Sequence, residues 1–310
     1  MAVAVKIEGL TKTYRLLKGM HKESVNAVSD LHLEVQEGEI FGFLGPNGAG
    51  KTSTIKMLLG LTYPTSGKAW LLGKPAGDIE VKKEISYLPE SPYFYDYMTG
   101  VEVLDFYARL FGLSEKERKP KIDELLKTVG LYTDRHKPLG QFSKGMLQRI
   151  GIAQSLINDP KLLFMDEPTS GLDPIAHSEI RDLILKLRDQ GKTVFLSSHQ
   201  LSDVELVCDR VSILNRGKML KCGKLDDLLI HSTVEITARG LNADTIKKLE
   251  STAEKVLAKG DLVIVSQQEG EGVGNSIDTI RAAKGQIISV TPLRRTLEDL
   301  FVEIIKECNR

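Results

Sequence analysis

The chain has 310 residues, of which 41% are hydrophobic, a size and composition that predict about two globular domains. Lys plus Arg and Asp plus Glu both number 42, so the formal net charge is zero. A chain without net charge has no overall field that draws it to nucleic acid or to an anionic membrane surface. No nucleic acid partner is therefore expected, and any polyanion must be bound locally.

Cysteine usage and the N-terminal residues narrow the class of protein further. The three cysteines, Cys208, Cys222 and Cys308, are far apart and match no metal-binding spacing, and the six histidines form no paired ligand motif. Reduced thiols in the cytoplasm are the simplest interpretation. The first residues lack the charged and apolar regions of a signal peptide, and no window approaches the roughly 18 apolar residues of a membrane helix. We expect a protein that neither crosses a membrane nor enters a secretion route.

The first predicted elements are strands followed by a helix. Residues 3–9 and 31–35 alternate or cluster apolar side chains, and residues 39–44 form an apolar run that is stopped by glycines. From residue 51 to residue 61 the apolar spacing becomes helical. A buried strand that meets a helix through a glycine-rich turn is the arrangement of a phosphate-binding loop.

Residues 91–158 are predicted to form a mostly helical insertion, after which strands and helices alternate. Within the insertion we predict helices at 105–113 and 122–129, separated by Pro120. The alternation that follows indicates an α/β fold. It consists of strands at 162–165, 193–197 and 211–215 and a helix at 175–188.

The pattern restarts beyond about residue 224, which predicts a boundary between domains at 1–224 and 225–310. The second domain is expected to be a small α/β domain. Its predicted elements are a strand at 234–237, a helix at 244–257, a strand at 262–266, a glycine-rich turn, a further helix and a strand at 286–290.

A phosphate-binding motif follows the predicted strand at 39–44. Backbone N–H groups must approach phosphate oxygens closely, which glycine permits because it has no Cβ and tolerates positive φ. Lys51 is expected to neutralise the β and γ phosphates, and Thr52 to offer its hydroxyl oxygen to Mg²⁺. The alternative is a glycine-rich turn that binds nothing, which the position between strand and helix disfavours. The binding residues are Gly45, Pro46, Asn47, Gly48, Ala49, Gly50, Lys51, Thr52 and Ser53.

Two adjacent carboxylates follow the predicted strand at 162–165. Asp166 suits a magnesium ion, and Glu167 suits an attacking water as its general base. Neighbouring residues point differently, so the two carboxylates can divide these roles. Acidic pairs at strand ends are often only solvated caps, but the upstream phosphate loop favours the functional interpretation.

The segment before these carboxylates resembles the signature of the ATP-binding cassette (ABC) family. Phe142 to Met146 stands where the family has Leu-Ser-Gly-Gly-Gln, with Ser143 and Gly145 in place. Ser170 to Asp173 is similar to the family's D-loop. Together with the phosphate loop and the carboxylates, these motifs occur in the family's order within residues 1 to about 224.

The resemblance assigns roles to three more residues, each of which also has a structural interpretation. His199 matches the family's switch histidine, a contact of the γ-phosphate, but could be a core histidine. Tyr14 lies where the family places an aromatic residue on adenine, but could be a half-buried strand aromatic. Ser143 could simply cap a helix, although capping and phosphate binding both use an exposed helix N-terminus.

The chain departs from the family pattern in two places. Lys144 and Met146 replace a glycine and the glutamine of the signature. Glu90 aligns with the family's Q-loop glutamine, and its carboxylate could approach Mg²⁺ but would be repelled by the γ-phosphate. These departures bear on contacts with the phosphates and on coupling to a membrane partner.

The predicted C-terminal domain resembles the small α/β extension of many bacterial export-type ABC ATPases. Its last helix has an apolar face typical of packing or dimer contacts. The resemblance implies a regulatory or dimer-stabilising role. The face consists of Leu297, Leu300, Phe301, Ile304 and Ile305.

Taken together, the resemblance implies an α/β P-loop ABC ATPase core with a helical subdomain at about 91–158, plus the small C-terminal domain. It implies that two copies of the chain hydrolyse ATP with Mg²⁺ between them at the cytoplasmic face of a membrane. The hydrolysis is expected to power transport through a separate integral permease, and export is favoured over import. Glu167, His199 and Lys51 are the expected catalytic residues, and Thr52, Asp166 and Glu90 the expected metal ligands. The alternative is a soluble ABC ATPase that acts on nucleic acid or ribosomes, and a GTPase or small kinase leaves the signature unexplained.

Overall fold

The structure, a computed structural model, describes residues 2–18, 21–229, 232–268, 270–294 and 296–308. The chain divides into two compact units, Met1–Gly223 and Lys224–Arg310. None of the helices within the described residues is both long and apolar enough to span a membrane.

The first unit begins with an antiparallel sheet in the order β2-β1-β4-β5. The first two strands are much longer than the predicted segments at 3–9 and 31–35. Their outer halves are mostly polar, so the apolar pattern does not predict them, whereas backbone pairing continues from Val3↔Gln36 to Lys18↔His21. The strands are β1 (Val3–Lys18), β2 (His21–Gln36), β4 (Ser66–Leu71) and β5 (Lys74–Pro75).

A second sheet of six strands, in the order β10-β9-β3-β8-β7-β6, forms the centre of the first unit. Strands β9, β3, β8, β7 and β6 run parallel, so their carboxyl ends lie at one edge. Phe195 of β8 is fully buried with its ring 5.1 Å from that of Phe43 of β3. The strands are β3 (Ile40–Leu44), β6 (Ile85–Leu88), β7 (Leu162–Asp166), β8 (Thr193–Ser198), β9 (Arg210–Asn215) and β10 (Lys218–Lys224).

The described residues of the first unit form seven α-helices, whereas the sequence predicted four, at 51–61, 105–113, 122–129 and 175–188. The predicted break at Pro120 is wrong, because a capping box between Ser114 and Glu117 starts one helix at Glu115 and carries it through the proline. Proline has no N–H to donate, so the helix loses one backbone bond there and continues. The helices are α1 (Lys51–Leu58), α2 (Ile79–Lys82), α3 (Gly100–Leu110), α4 (Glu115–Thr128), α5 (Lys144–Ser155), α6 (Pro174–Asp189) and α7 (Leu201–Val207).

The second unit is a four-stranded antiparallel sheet in the order β12-β13-β11-β14, with helices packed on it. The predicted helix at 244–257 ends early, at Thr252, because residues 255–259 pair with the neighbouring strand. The glycine-rich segment does not form a separate turn, because Gly270 is the N-cap residue of a helix and Gly272 and Gly274 lie in its first turn. The elements are α8 (Leu225–Leu228), β11 (Ser232–Arg239), α9 (Ala243–Thr252), β12 (Lys255–Lys259), β13 (Leu262–Gln268), α10 (Glu271–Ala282), β14 (Gln286–Arg294) and α11 (Leu297–Cys308).

The apolar face of α11 packs within the chain at three of its five predicted positions. Leu297, Leu300 and Ile304 are buried, whereas Phe301 and Ile305 are half-buried. All three cysteines are free thiols, and Cys208 is buried beneath β3.

Candidate nucleotide-binding site

The loop between β3 and α1 is shaped by its glycines. Gly50 has φ +105°, and a Cβ there would lie 2.3 Å from the carbonyl oxygen of Ala27, so no other residue fits. Gly48, at φ +81°, has open space where a side chain would stand. The loop borders a cavity of about 170 Å³. Its lining consists of Ala27, Pro46, Asn47, Gly48, Ala49, Gly50, Lys51, Thr52, Ser53, Glu90 and Glu167.

Lys51, the first residue of α1, is held inside this loop. Its side chain is 7% exposed, and its Nζ donates a hydrogen bond to the carbonyl oxygen of Gly45 at 2.7 Å. The same Nζ lies 3.4 Å from Oε1 of Glu167. The ammonium group therefore stands between the phosphate loop and the carboxylate that ends the neighbouring strand.

Asp166 ends β7, and its carboxylate accepts hydrogen bonds from hydroxyl groups on three neighbouring elements. Thr52 Oγ1 donates to its Oδ2 at 3.1 Å, and Ser197 Oγ donates to its Oδ1. The Tyr87 hydroxyl is its third donor, and burial together with the Asp166 and Glu90 charges raises the pKa of Tyr87 to about 12. Tyr87 therefore remains a neutral donor at physiological pH.

The oxygens of Thr52 and Asp166 fit a magnesium ion that also binds nucleotide. Mg²⁺ in such sites takes one or two carboxylate or hydroxyl ligands from the protein and the rest from phosphate and water. Among the described residues, no cluster of three or more Asp, Glu, His or Cys forms a metal site of its own. This donor set therefore suits a metal that arrives with phosphate.

Glu167 and His199 are in direct contact. Both the backbone N–H and Nδ1 of His199 face Oε2 of Glu167, at 3.1 and 2.8 Å. Glu167 has a left-handed backbone at φ +50°, which a residue with a side chain rarely adopts, and its own N–H donates to the Ser197 carbonyl. A strained, 7% exposed carboxylate at the end of a buried strand is typical of a functional site.

Two further predicted ligands, Glu90 and Tyr14, do not contact the phosphate loop or the Asp166 carboxylate in any hydrogen bond of the described residues. Glu90 lines the cavity, but its Oε1 accepts a hydrogen bond from Ser170 at 3.2 Å, so its role as a metal ligand stays a prediction. Tyr14 pairs with Val25 in the first sheet and lies 5.0 Å beneath the Lys12 ammonium, outside the lining of the cavity. It is half-buried.

The signature segment also lies outside the cavity lining of its own chain. Ser143 is exposed and caps α5, since its Oγ accepts the N–H of Met146 at 3.2 Å. Gly145 is buried, and a Cβ there would stand 2.8 Å from Cβ of Ala176, so close packing on α6 requires this glycine.

Sequence reasoning missed two residues of the site, Tyr87 and Ser197. Ser197 is in register with Asp166 on the adjacent parallel strand, and Tyr87 lies on the strand at the other side of β7. The available signal was the position of polar residues near the carboxyl ends of apolar strands, which meet at one edge of a parallel sheet.

A glycine loop between strand and helix, with a lysine, a threonine and two carboxylates around one cavity, defines a P-loop nucleotide-binding protein. The sequence profile of the ABC transporter family matches residues 28–170. The chain is 45% identical over 310 residues to the ABC transporter ATP-binding protein YxlF of Bacillus subtilis, covering 97% of this chain and 99% of that one. The chain belongs to the ABC transporter ATP-binding protein family.

Two further relatives are informative. The bacitracin transport ATP-binding protein BcrA of Bacillus licheniformis is 43% identical over 224 residues, covering 71% of this chain and 70% of BcrA. A solved dimeric ATP-binding cassette in a post-hydrolysis state, bound to ADP and phosphate, has a TM-score of 0.64 and 27% identity, covering 71% of this chain and 98% of that chain. The P-loop ABC ATPase fold expected from the sequence is thus confirmed.

Proposed function

We propose that this chain hydrolyses ATP and powers the export of a substrate through a separate membrane permease. The observation that carries the proposal is the single cavity lined by the loop 46–53 and by Glu167, with the Lys51 ammonium 3.4 Å from that carboxylate. A cation and backbone N–H groups suit a polyphosphate, and a carboxylate at the same place suits the activation of water.

The chain's own groups divide the work of hydrolysis. Lys51 and the loop N–H groups bind the β and γ phosphates, with Gly45 accepting from Lys51 and holding it in place. Thr52 and Asp166 hold Mg²⁺, which neutralises charge on the phosphates when bound. Glu167 accepts a proton from the attacking water, and His199 turns from Glu167 towards the γ-phosphate. Tyr14 stacks on adenine.

Replacing Lys51 by Ala is expected to remove most of the affinity for Mg-ATP, because the cation that faces the β and γ phosphates is lost. Isothermal titration calorimetry measures the affinity, and a thermal melt confirms that the variant folds. The matched control is Lys56→Ala on the exposed side of the same helix, which should bind nucleotide like the wild type. Unchanged affinity in Lys51→Ala would remove the lysine from the site.

The proposed active unit is a homodimer in which each chain completes the other's site. Ser143 is exposed at the N-terminus of α5 and lies outside the cavity of its own chain. Helix N-termini bind phosphate, so Ser143 and Gly145 of one subunit are assigned to the open side of the partner's γ-phosphate. The role of residues 225–310 is to stabilise or regulate this dimer.

The surface assigned to the permease is an aromatic groove, formed by residues 93–107, which begin three residues after Glu90. Tyr93 and Tyr95 line the groove and are 85% and 59% exposed. The ring of Tyr95 stacks at 5.5 Å on that of Tyr97, which is exposed at the edge of the groove. Exposed aromatic side chains in one groove are typical of protein interfaces. The groove, of about 310 Å³, is lined by Tyr93, Phe94, Tyr95, Met98, Val103, Phe106 and Tyr107.

Export is favoured because BcrA is named for bacitracin transport and a second relative, from Mycobacterium tuberculosis and 38% identical over 228 residues, for fluoroquinolone export. The chain is accordingly assigned to the cytoplasmic face of the membrane, attached through its permease. A soluble ABC ATPase that acts on nucleic acid has no support from these names.

Affinity purification of the tagged chain from detergent-solubilised membranes tests the permease assignment. We expect an integral membrane protein to copurify with the wild type and to be lost with the double variant Tyr95→Ser, Tyr97→Ser, because the aromatic contact area is removed. The control is Tyr63→Ser, which removes a tyrosine that is 84% exposed elsewhere on the first unit. Equal recovery of the membrane protein with all three chains would contradict the groove as its docking surface.

A further inference from the structure

Four polar side chains beside the cavity form a network that the proposed hydrolysis leaves unexplained. We call Thr169, His177, Gln200 and Asp203 the Thr169 network. Thr169 lies in the turn after Glu167, His177 lies near the start of α6, and Gln200 and Asp203 begin α7. Thr169 and Asp203 are only 5% and 8% exposed, so their polar atoms must find partners inside the protein.

The network is closed by contacts between all four side chains. Thr169 Oγ1 lies 3.1 Å from Oε1 of Gln200 and 3.0 Å from Oδ2 of Asp203. The ring of His177 lies between the same two residues, with Nε2 2.8 Å from Gln200 Oε1 and Nδ1 3.1 Å from Asp203 Oδ1. The ring of His177 thereby links Gln200 to Asp203 and closes the network.

From the local sequence alone, the side chains of Gln200 and Asp203 would be expected to cap the N-terminus of α7. Gln200 is the N-cap residue of α7 and Asp203 is its third residue, positions whose side chains commonly bond to the helix's own first N–H groups. The side chain of Gln200 makes no such cap, and its backbone N–H is instead bound by Oγ of Ser198. Both side chains are therefore used to connect α7 to the turn that carries Glu167.

The turn after Glu167 and the start of α7 are also joined by the contact between Glu167 and His199, and this second contact must open during hydrolysis. Glu167 and His199 bind each other through Oε2, yet in the proposed reaction Glu167 faces water and His199 faces phosphate. When that contact opens, the contact between Thr169 and Gln200 still joins the same segments. Thr169 is two residues after Glu167, and Gln200 is one residue after His199.

We infer that Thr169 is a positioning residue for hydrolysis. Its hydroxyl oxygen lies within hydrogen-bond distance of Gln200 and Asp203, both of which also contact His177. This contact keeps the turn after Glu167 aligned with the segment of His199 once Glu167 is free to activate water. The inference rests on the proposed hydrolysis of ATP and adds a residue that lies outside the lining of the cavity.

Two substitutions at Thr169 separate its hydroxyl from its packing. Thr169→Val keeps the shape and removes the hydroxyl, whereas Thr169→Ser keeps the hydroxyl and removes a methyl group. We expect kcat for ATP to fall about tenfold or more in the valine variant, with KM unchanged, because small misplacement of a reacting group slows chemistry more than binding. The serine variant should keep kcat within about twofold of the wild type.

Gln200→Leu is measured in parallel as a second test, in case the valine variant does not fold. It removes the contact between Thr169 and Gln200 by a change at a half-buried position. It should show the same loss of kcat. His32→Gln is the control and should leave kcat unchanged. His32 lies 3.1 Å from Asp30, the same distance as His177 from Asp203, but both His32 and Asp30 are on the surface. A wild-type kcat in both the valine and leucine variants would overturn the inference about Thr169 but not the proposed hydrolysis. A loss of kcat that is larger in the serine variant than in the valine variant would do the same. A wild type without ATP hydrolysis would overturn the proposed function as well.

Discussion

Glu167→Gln is expected to lower the rate of ATP hydrolysis by roughly 10² to 10⁴ while nucleotide still binds, which is the usual contribution of a positioned general base. The amide keeps the size of the side chain and can still bond to His199, but it cannot accept a proton from water. The carboxylate is 7% exposed and lines the cavity beside the phosphate loop. Phosphate release at saturating Mg-ATP measures the rate.

Nucleotide affinity in the same variant distinguishes loss of the base from loss of the site. Calorimetry should give an affinity near that of the wild type, since Lys51 and the loop are intact. The matched control is Glu124→Gln, which neutralises an exposed carboxylate on α4 and should hydrolyse ATP normally. A turnover in Glu167→Gln equal to that of the wild type would assign the base to another residue.

Mixing two inactive variants is expected to restore hydrolysis if the active site is shared between subunits. Lys51→Ala damages the cavity of its own chain, whereas Ser143→Arg damages the partner's site through bulk and loss of hydrogen bonding. A heterodimer of the two contains one doubly damaged site and one site with native Lys51 facing native Ser143. Hydrolysis should reappear, up to about half of the wild-type rate per dimer if the sites act independently.

Two controls make this experiment decisive. Ser143 also caps α5, so Ser143→Arg is expected to lose about 1 kcal/mol of stability, and its melting temperature must be checked. A heterodimer of wild type with Lys51→Ala also keeps one intact site. If that heterodimer hydrolyses ATP and the mixed variants do not, the shared-site proposal is wrong.

Family and fold could be predicted from the sequence because their signals are local. The loop 45–50 needs an apolar strand before it, a helix after it and glycines between, and all three lie within about twenty residues. The carboxylates at 166 and 167 follow a buried strand in the same way. Parallel strands bring their carboxyl ends to one edge, which is why the loop and the two carboxylates lie close together in the structure.

Element bounds depended on partners distant in the sequence. The apolar spacing predicted a helix up to residue 257, yet residues 255–259 form a strand because the backbone of 262–266 pairs with them. The polar outer halves of β1 and β2 are strands for the same reason. Backbone pairing is indifferent to the polarity of exposed side chains, so no local pattern could report it.

By itself, the sequence determined that this protein has a phosphate loop, a pair of carboxylates and the motifs of the ABC family in order. Only the tertiary structure decided how those groups are held: Lys51 against Glu167, Glu167 against His199, Glu90 against Ser170, and Thr169 against Gln200. The residues in each pair are between 31 and 116 positions apart, and a hydrogen bond between side chains needs a match of position and direction that only the packed sheet supplies.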